Sequence, residues 1–285
     1  MSILTCPTIS TEGESDFRNV IKHAYARGKG ADIIFILGTT GGFYILPNSD
    51  KKGLVDIAVD EVRKLIQGNG KPLELAIGVT GNNLDETVEL AQYAEEKGAD
   101  YAVLMPLYFS PKATDTVMTV VDETKTIKLI LYNHPGKSEG RNIGLDEWQS
   151  LSLHERIPKL KDSSGDSDRA RSYGTANGEL HIGDEILGLS VPSNGIVAGS
   201  SNILPIAWAR AARDKKSHVS MLLRGFQKVY ASNPIGAFHY VLHKMHVISS
   251  DKPLDSSLGI TIKLRREVDK LMKDDNFTSL YTMGF

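Results

Sequence analysis

Short apolar runs alternate along the chain with longer stretches in which apolar residues recur every three or four positions. A run that is apolar at every position suits a strand buried on both faces, as in a parallel sheet. The spacing of three and four suits a helix laid against such a sheet. Eight runs qualify as strands: 3–9, 33–37, 73–79, 101–105, 129–132, 157–160, 180–182 and 195–198. Helices are expected between them, most clearly over 50–66 and 85–96, with Gly98 stopping the second. After the eighth run, 202–213 reads as its helix, and three more helical stretches begin near Lys216, Pro234 and Leu258. Strand and helix repeated eight times predict the α/β class, a (β/α)8 barrel over 1–214, with 215–285 as a helical region packed on it.

Composition narrows the function classes. The 285 residues exceed the roughly 250 of a typical barrel of this kind, which leaves room for the extra helices. At 41% hydrophobic and 24% charged, the chain can build a sizeable core and is not expected to be disordered. Lys plus Arg number 33 against 35 Asp plus Glu, a net charge of −2 with both signs mixed, so neither nucleic acid nor a membrane surface is an expected partner. No apolar run approaches the roughly 20 residues of a membrane span, and the N-terminus lacks a signal-peptide pattern, so a cytoplasmic setting is expected. The single cysteine, Cys6, has no partner for an internal disulfide and is expected as a small core residue.

In a barrel of this kind the chemistry is built where the strands end, so the residues that follow each apolar run matter most. After 33–37 comes Gly38-Thr39-Thr40-Gly41-Gly42, a tight turn that can also present backbone N–H groups and two hydroxyls to a carboxylate. After the fifth run comes Tyr132-Asn133-His134-Pro135-Gly136, which sets a phenol at the rim. A phenol is a poor base alone, since its ordinary pKa lies near 10, so it needs a relay. Tyr108, past the fourth run, is a candidate partner through a hydroxyl chain that can include Thr40.

The sixth run leads into Lys159-Leu160-Lys161-Asp162-Ser163-Ser164-Gly165-Asp166. Only one of the two lysines is expected to point into the barrel, with Lys159 expected at the surface. A lysine forced inward is costly unless it has a use, and burial lowers its pKa toward that of a nucleophile able to condense with a ketone. The alternative is a surface lysine that begins the next helix. The imine of a 2-oxo acid is an electron sink, so this chemistry needs no cofactor and no metal. His239, His243 and His246 have helical spacing but no carboxylate in the same turn, which argues against a metal site there.

These motifs resemble the superfamily of dihydrodipicolinate synthase and N-acetylneuraminate lyase, the class I pyruvate-dependent aldolases. The likeness covers the barrel from Cys6-Pro7-Thr8 to Leu204-Pro205. It is carried by Gly38-Thr39-Thr40-Gly41, Pro106 with Tyr108, Tyr132-Asn133-His134-Pro135, the Leu160 to Asp166 segment, and Gly195-Ile196-Val197-Ala198-Gly199 leading to Asn202. The resemblance implies Lys161 as the Schiff-base lysine, Tyr132 as the proton-transfer residue, and Thr39 and Thr40 with the Gly41 turn as the carboxylate holder. It further implies that Tyr108 is lent across a dimer interface, in a homo-oligomer built as a dimer of dimers. Its partners would be pyruvate and an aldehyde.

Two departures matter. The glycine-rich turn carries Gly42 where the family usually has glutamate, and Lys137 stands where the synthases have the arginine that grips an aldehyde's carboxylate. Lysine keeps the charge but loses the bidentate fork. The segment Val197 to Pro205 looks more like the 2-keto-3-deoxy-gluconate aldolases. In that reading Gly183, Asp184, Glu185, Gly199, Ser200 and Ser201 are candidate partners for substrate hydroxyls, although Asp184 and Glu185 are equally suited to capping a helix. The first expectation is therefore an aldolase that cleaves or forms a 2-keto-3-deoxy sugar acid. The second is 4-hydroxy-tetrahydrodipicolinate synthase. A sugar-acid dehydratase, or an idle barrel that binds a 2-oxo acid, follows.

Overall fold

The computed structural model describes residues 2–5, 7–9, 13–69 and 71–282. Cys6 lies outside the described residues, as does part of the first expected strand. Eight strands are formed: β1 Ser2–Thr5, β2 Ile33–Ile36, β3 Glu74–Gly78, β4 Tyr101–Leu104, β5 Lys128–Asn133, β6 Lys159–Asp162, β7 Glu179–Ile182 and β8 Gly195–Ala198. They pair in parallel in sequence order, and β8 returns to β1, which closes the sheet. The crossovers carry α1 Glu14–Tyr25, α2 Asn48–Asn69, α3 Leu84–Lys97, α4 Ala113–Glu123, α5 Leu145–Leu151, α6 Ser167–Tyr173 and α7 Glu185–Gly188, and α8 Pro205–Arg213 follows β8. This is a (β/α)8 barrel.

Local chemistry sets the boundaries. Asn83 caps α3 by accepting from the Glu86 N–H at 2.9 Å, and Gly98 ends it in the left-handed region at φ 82°, as expected from the sequence. The expected helix over 202–213 begins only at Pro205, because 199–202 forms a 3-10 turn and proline suits the first helical position. Past the barrel come four helices rather than three: α9 His218–Tyr230, α10 Pro234–Lys244, α11 Ile262–Met272 and α12 Asp275–Thr282. The Asp274 carboxylate accepts from the Asn276 N–H at 2.9 Å, which starts a fresh helix and splits the last stretch. Ile3, Ile196 and Ala198 of the barrel share one apolar cluster with Trp208, Leu223, Phe238 and Leu264, so these helices close over the β8 to β1 side. Among the described residues no helix is long and apolar enough to cross a membrane.

β6 sits two residues later than the run that announced it. Pro158 has no N–H for the ladder, and its carbonyl instead accepts from the Glu179 N–H at 2.8 Å, so pairing starts at Lys159. This corrects the expectation for the two lysines. Side chains alternate with a period of two, so Lys159 and Lys161 share a face, and both are buried, at 8% and 6% exposure. Lys159 lies one layer below Lys161 and pairs with Glu179 at 2.5 Å, its ammonium over the Tyr101 ring at 5.4 Å. His181 Nε2 also contacts Glu179, at 3.2 Å. Burial keeps His181 below its ordinary pKa despite that carboxylate.

A pH dependence follows. Hydrogen bonds from His181 and then Lys159 hold the Glu179 carboxyl down to about 2. A depressed carboxyl stabilises the fold above its unfolded pKa, near 4.3, and that contribution fades as pH falls toward 2. Glu179→Gln should therefore melt below the parent at pH 6, and the gap should narrow by pH 3. An unchanged gap in thermal midpoint would show that Glu179 plays no such part.

Candidate functional site

β2 ends at Ile36, and the chain then turns through Leu37 in the left-handed region at φ 57°, which is unfavourable for a leucine. The turn is tolerated because Gly78 of β3 faces it: a Cβ there would lie 2.1 Å from the Leu37 carbonyl oxygen. Gly42, at φ 69°, likewise uses a conformation that favours glycine. Between them, Thr39 reaches across the barrel mouth, its Oγ1 lying 3.2 Å from the Tyr132 hydroxyl.

Tyr132 of β5 stands in register with Lys161 of β6. The Lys161 ammonium lies 3.6 Å from the centroid of the Tyr132 ring and 4.9 Å from that of Phe35. Two aromatic faces thus replace the water that burial removes. Lys161 is held from behind by its own strand, where Asp162 accepts from Asn133 Nδ2 at 2.8 Å and from Ser164 Oγ at 2.9 Å. Gly183 of the next strand end leaves the space the lysine uses, since a Cβ would fall 2.1 Å from Ser163 Oγ and 3.0 Å from Lys161 Cε. Thr39, Tyr132, Lys161, Ser163 and Gly183 all line one cavity of about 240 Å³.

Of the residues expected from sequence, Thr39, Thr40, Tyr132, Lys161, Gly183, Asp184 and Gly199 line this cavity. The hydroxyl that meets Tyr132 belongs to Thr39, not to Thr40, and Tyr108, Gly41, Lys137, Glu185 and Ser200 are not in the lining. Tyr108 packs edge-on against Phe43, with centroids 5.6 Å apart, and is not in the lining of its own chain's cavity. Gly41 packs against the Pro7 carbonyl, and Lys137 lies over the Tyr44 ring at 4.4 Å. Asp184 caps α7 by accepting from the Leu187 N–H at 2.8 Å, and it lines the cavity as well.

Glu185 and Ser200 are the clearest correction. Asp184 starts α7, so the next side chain turns away from the mouth and is buried. Glu185 accepts from both the N–H and the hydroxyl of Ser200, each at 2.7 Å, and Trp208 donates to Ser200 Oγ at 2.7 Å. The Tyr230 hydroxyl of α9 adds a contact at 3.4 Å. Burial raises the Glu185 pKa against these hydrogen bonds. This network ties the end of β8 to the C-terminal helices instead of facing substrate. Ser201 is likewise buried, on Thr5 at 2.8 Å. His239 hydrogen-bonds Thr8 and His243 Nδ1 lies 3.3 Å from the Ile248 carbonyl, so these two histidines are engaged with different residues.

Two polar lining residues, besides the apolar Val197, were passed over in the sequence. Ser163 follows Lys161 by two positions, so the period of the strand carried past its end would have found it. His134 stood inside a recognised motif with no role. Burial, then the nearby ammonium groups of Lys161 and Lys137, lowers its pKa to about 4.

Comparison with known proteins gives a consistent result. Residues 8–216 match the model of the dihydrodipicolinate synthetase family. A 4-hydroxy-tetrahydrodipicolinate synthase of Methanothermobacter thermautotrophicus is 29% identical over 206 residues, covering 68% of this chain and 70% of the relative. A 2-dehydro-3-deoxy-D-gluconate/2-dehydro-3-deoxy-phosphogluconate aldolase of Thermoproteus tenax is 26% identical over 196 residues, covering 66% of this chain and 60% of the relative. Among solved structures, a prophage protein of the dihydrodipicolinic acid synthase family from E. coli K12, in complex with pyruvate, superposes with a TM-score of 0.83. It is 19% identical over 97% of this chain and 98% of that one, a likeness of fold.

The tight fit at Gly183 is open to direct test. Gly183→Ala should crowd Ser163 and Lys161 and slow labelling of Lys161 by a small amine-directed reagent by about tenfold or more, with the fold retained because only the rim is disturbed. Peptide mapping that finds Lys161 labelled at the parent rate would contradict this packing.

Proposed function

This chain belongs to the dihydrodipicolinate synthetase family, whose members are class I lysine-imine aldolases and lyases that work on pyruvate, and we propose that Lys161 is its imine-forming residue. The observation that carries the assignment is a buried amine held between the Tyr132 and Phe35 rings in a cavity bordered by hydroxyls. The neutral Lys161 amine attacks C2 of a 2-oxo acid, and loss of water leaves the iminium. The acid's carboxylate lies against the Thr39 and Thr40 part of the turn. In the cleavage direction Tyr132, tied to the Thr39 hydroxyl, takes the proton from the C4 hydroxyl. The C3–C4 bond then breaks, its electrons pass to the iminium as an enamine, and an aldehyde leaves. Protonation of C3 and hydrolysis of the imine release pyruvate and the free lysine.

The substrate we favour is a 2-keto-3-deoxy sugar acid. Its support is the chemistry of the wall: Ser163 and Asp184 can bind hydroxyls, whereas Lys137 rests on Tyr44 outside the lining and Lys161 is committed to the ketone. The rival is 4-hydroxy-tetrahydrodipicolinate synthase, favoured by the name of the 29% identical relative. We further propose a dimer of dimers in which Tyr108 of a second copy completes the relay. Its support is the position of Tyr108, half-buried at a strand end yet outside its own chain's cavity.

Pyruvate release from 2-keto-3-deoxygluconate should exceed condensation of pyruvate with aspartate semialdehyde by about tenfold in kcat/KM, a difference of about 1.4 kcal/mol in transition-state binding. The reverse preference would hand the assignment to the synthase. Lys161→Ala should abolish turnover of either substrate, and Tyr132→Phe should lower kcat by about 10²- to 10⁴-fold, the usual contribution of a positioned proton-transfer group. Appreciable turnover by Lys161→Ala would sink the imine assignment.

A further inference from the structure

His134 leaves β5 just past Tyr132 and lines the same cavity as Lys161. Its ring is fixed on two sides. One face meets the Tyr132 ring, with centroids 5.4 Å apart and planes tilted by 42°. Its Cε1–Nδ1 edge lies against Gly136, where an added Cβ would sit 3.2 Å from Cε1. His134 Nδ1 is buried and has no hydrogen-bond partner among the described residues. That nitrogen is on the Gly136 side, so it is the Nε2 side of the ring that is left to the cavity.

The groups around the ring decide its charge. Lys161 comes from β6, Lys137 from the turn after β5, Tyr132 from β5 itself, and Asp184 from the end of β7. The Asp184 carboxylate is occupied by the Leu187 N–H at 2.8 Å. Two ammonium groups and burial outweigh it, so the imidazole is neutral. A neutral imidazole can donate or accept at Nε2 according to its tautomer, and a hydroxyl can meet it in either role. A carboxylate is better served by a cation, and Lys137, the cation nearest in sequence, lies on the Tyr44 ring.

We infer that His134 is the specificity-determining residue for the aldehyde half of the substrate, hydrogen-bonding a hydroxyl beside the aldehyde carbon and favouring uncharged hydroxyaldehydes over carboxylated ones. This rests on the aldolase reading above and adds a residue to which neither the sequence motifs nor that reading gave a role. It also separates the two halves of the reaction: the 2-oxo acid answers to Lys161 and the Thr39 turn, and the aldehyde to His134.

The test measures condensation of pyruvate with D-glyceraldehyde and with aspartate semialdehyde in the parent, His134→Val and His134→Asn. Loss of a hydrogen bond to the substrate should lower kcat/KM for glyceraldehyde about tenfold in His134→Val, chiefly through the aldehyde KM, with no comparable loss for aspartate semialdehyde. His134→Asn, which keeps a donor and an acceptor, should recover glyceraldehyde to within about threefold of the parent. Equal losses on both aldehydes, or none on either, would overturn the role of His134. A parent that condenses pyruvate with neither aldehyde would overturn the aldolase reading itself, and this inference with it.

Discussion

An ammonium group enclosed by a closed sheet has lost its water, and much of the upper barrel responds to that one condition. Lys161 is 6% exposed, so its side chain has given up most of its contact with water. Among the described residues no carboxylate pairs with it in the way Glu179 pairs with Lys159 one layer below. Aromatic faces stabilise the cation only modestly, and a hydroxyl-lined cavity opens beside it. The contrast between two lysines on one strand separates a buried ion pair from a side chain that borders the cavity.

The same requirement explains the strained and small residues nearby. Leu37 takes a left-handed turn so that Thr39 can meet Tyr132, and Gly78 makes room for the displaced carbonyl. Gly183 leaves the volume into which the lysine extends. Behind the wall, the Glu185, Ser200, Trp208 and Tyr230 network fixes the end of β8. His239 of α10 hydrogen-bonds Thr8, which lies past the end of β1. The C-terminal helices therefore brace the mouth of the barrel from the side where β8 meets β1. Buried polar networks of this kind hold one arrangement well when every member is satisfied.

The barrel was legible because parallel strands covered on both faces leave continuous apolar runs, and six of the eight expected runs overlap their strands closely, while the first was drawn on to 9, past the end of β1 at Thr5. The sixth was displaced because an apolar count cannot register that Pro158 lacks an N–H. The error over Lys159 had a different origin: residues two apart share a face, so the pair had to be judged together. Lys161 and Tyr132 were legible from chemistry at strand ends. Thr39 could not be told from Thr40, since the choice depends on the left-handed bend at Leu37. Glu185 and Ser200 looked like substrate ligands because polar residues at a strand end carry no sign of which way they turn. His134 was visible as a letter, but its neighbours Lys161 and Lys137 come together only in the fold.

The most direct test of the central claim is mass spectrometry of the intact protein after incubation with pyruvate and sodium borohydride, followed by peptide mapping. The account predicts a single reduced pyruvyl adduct, located on Lys161, because borohydride traps the imine as a stable secondary amine. A folded protein that forms no adduct, or carries it on another lysine, would contradict it.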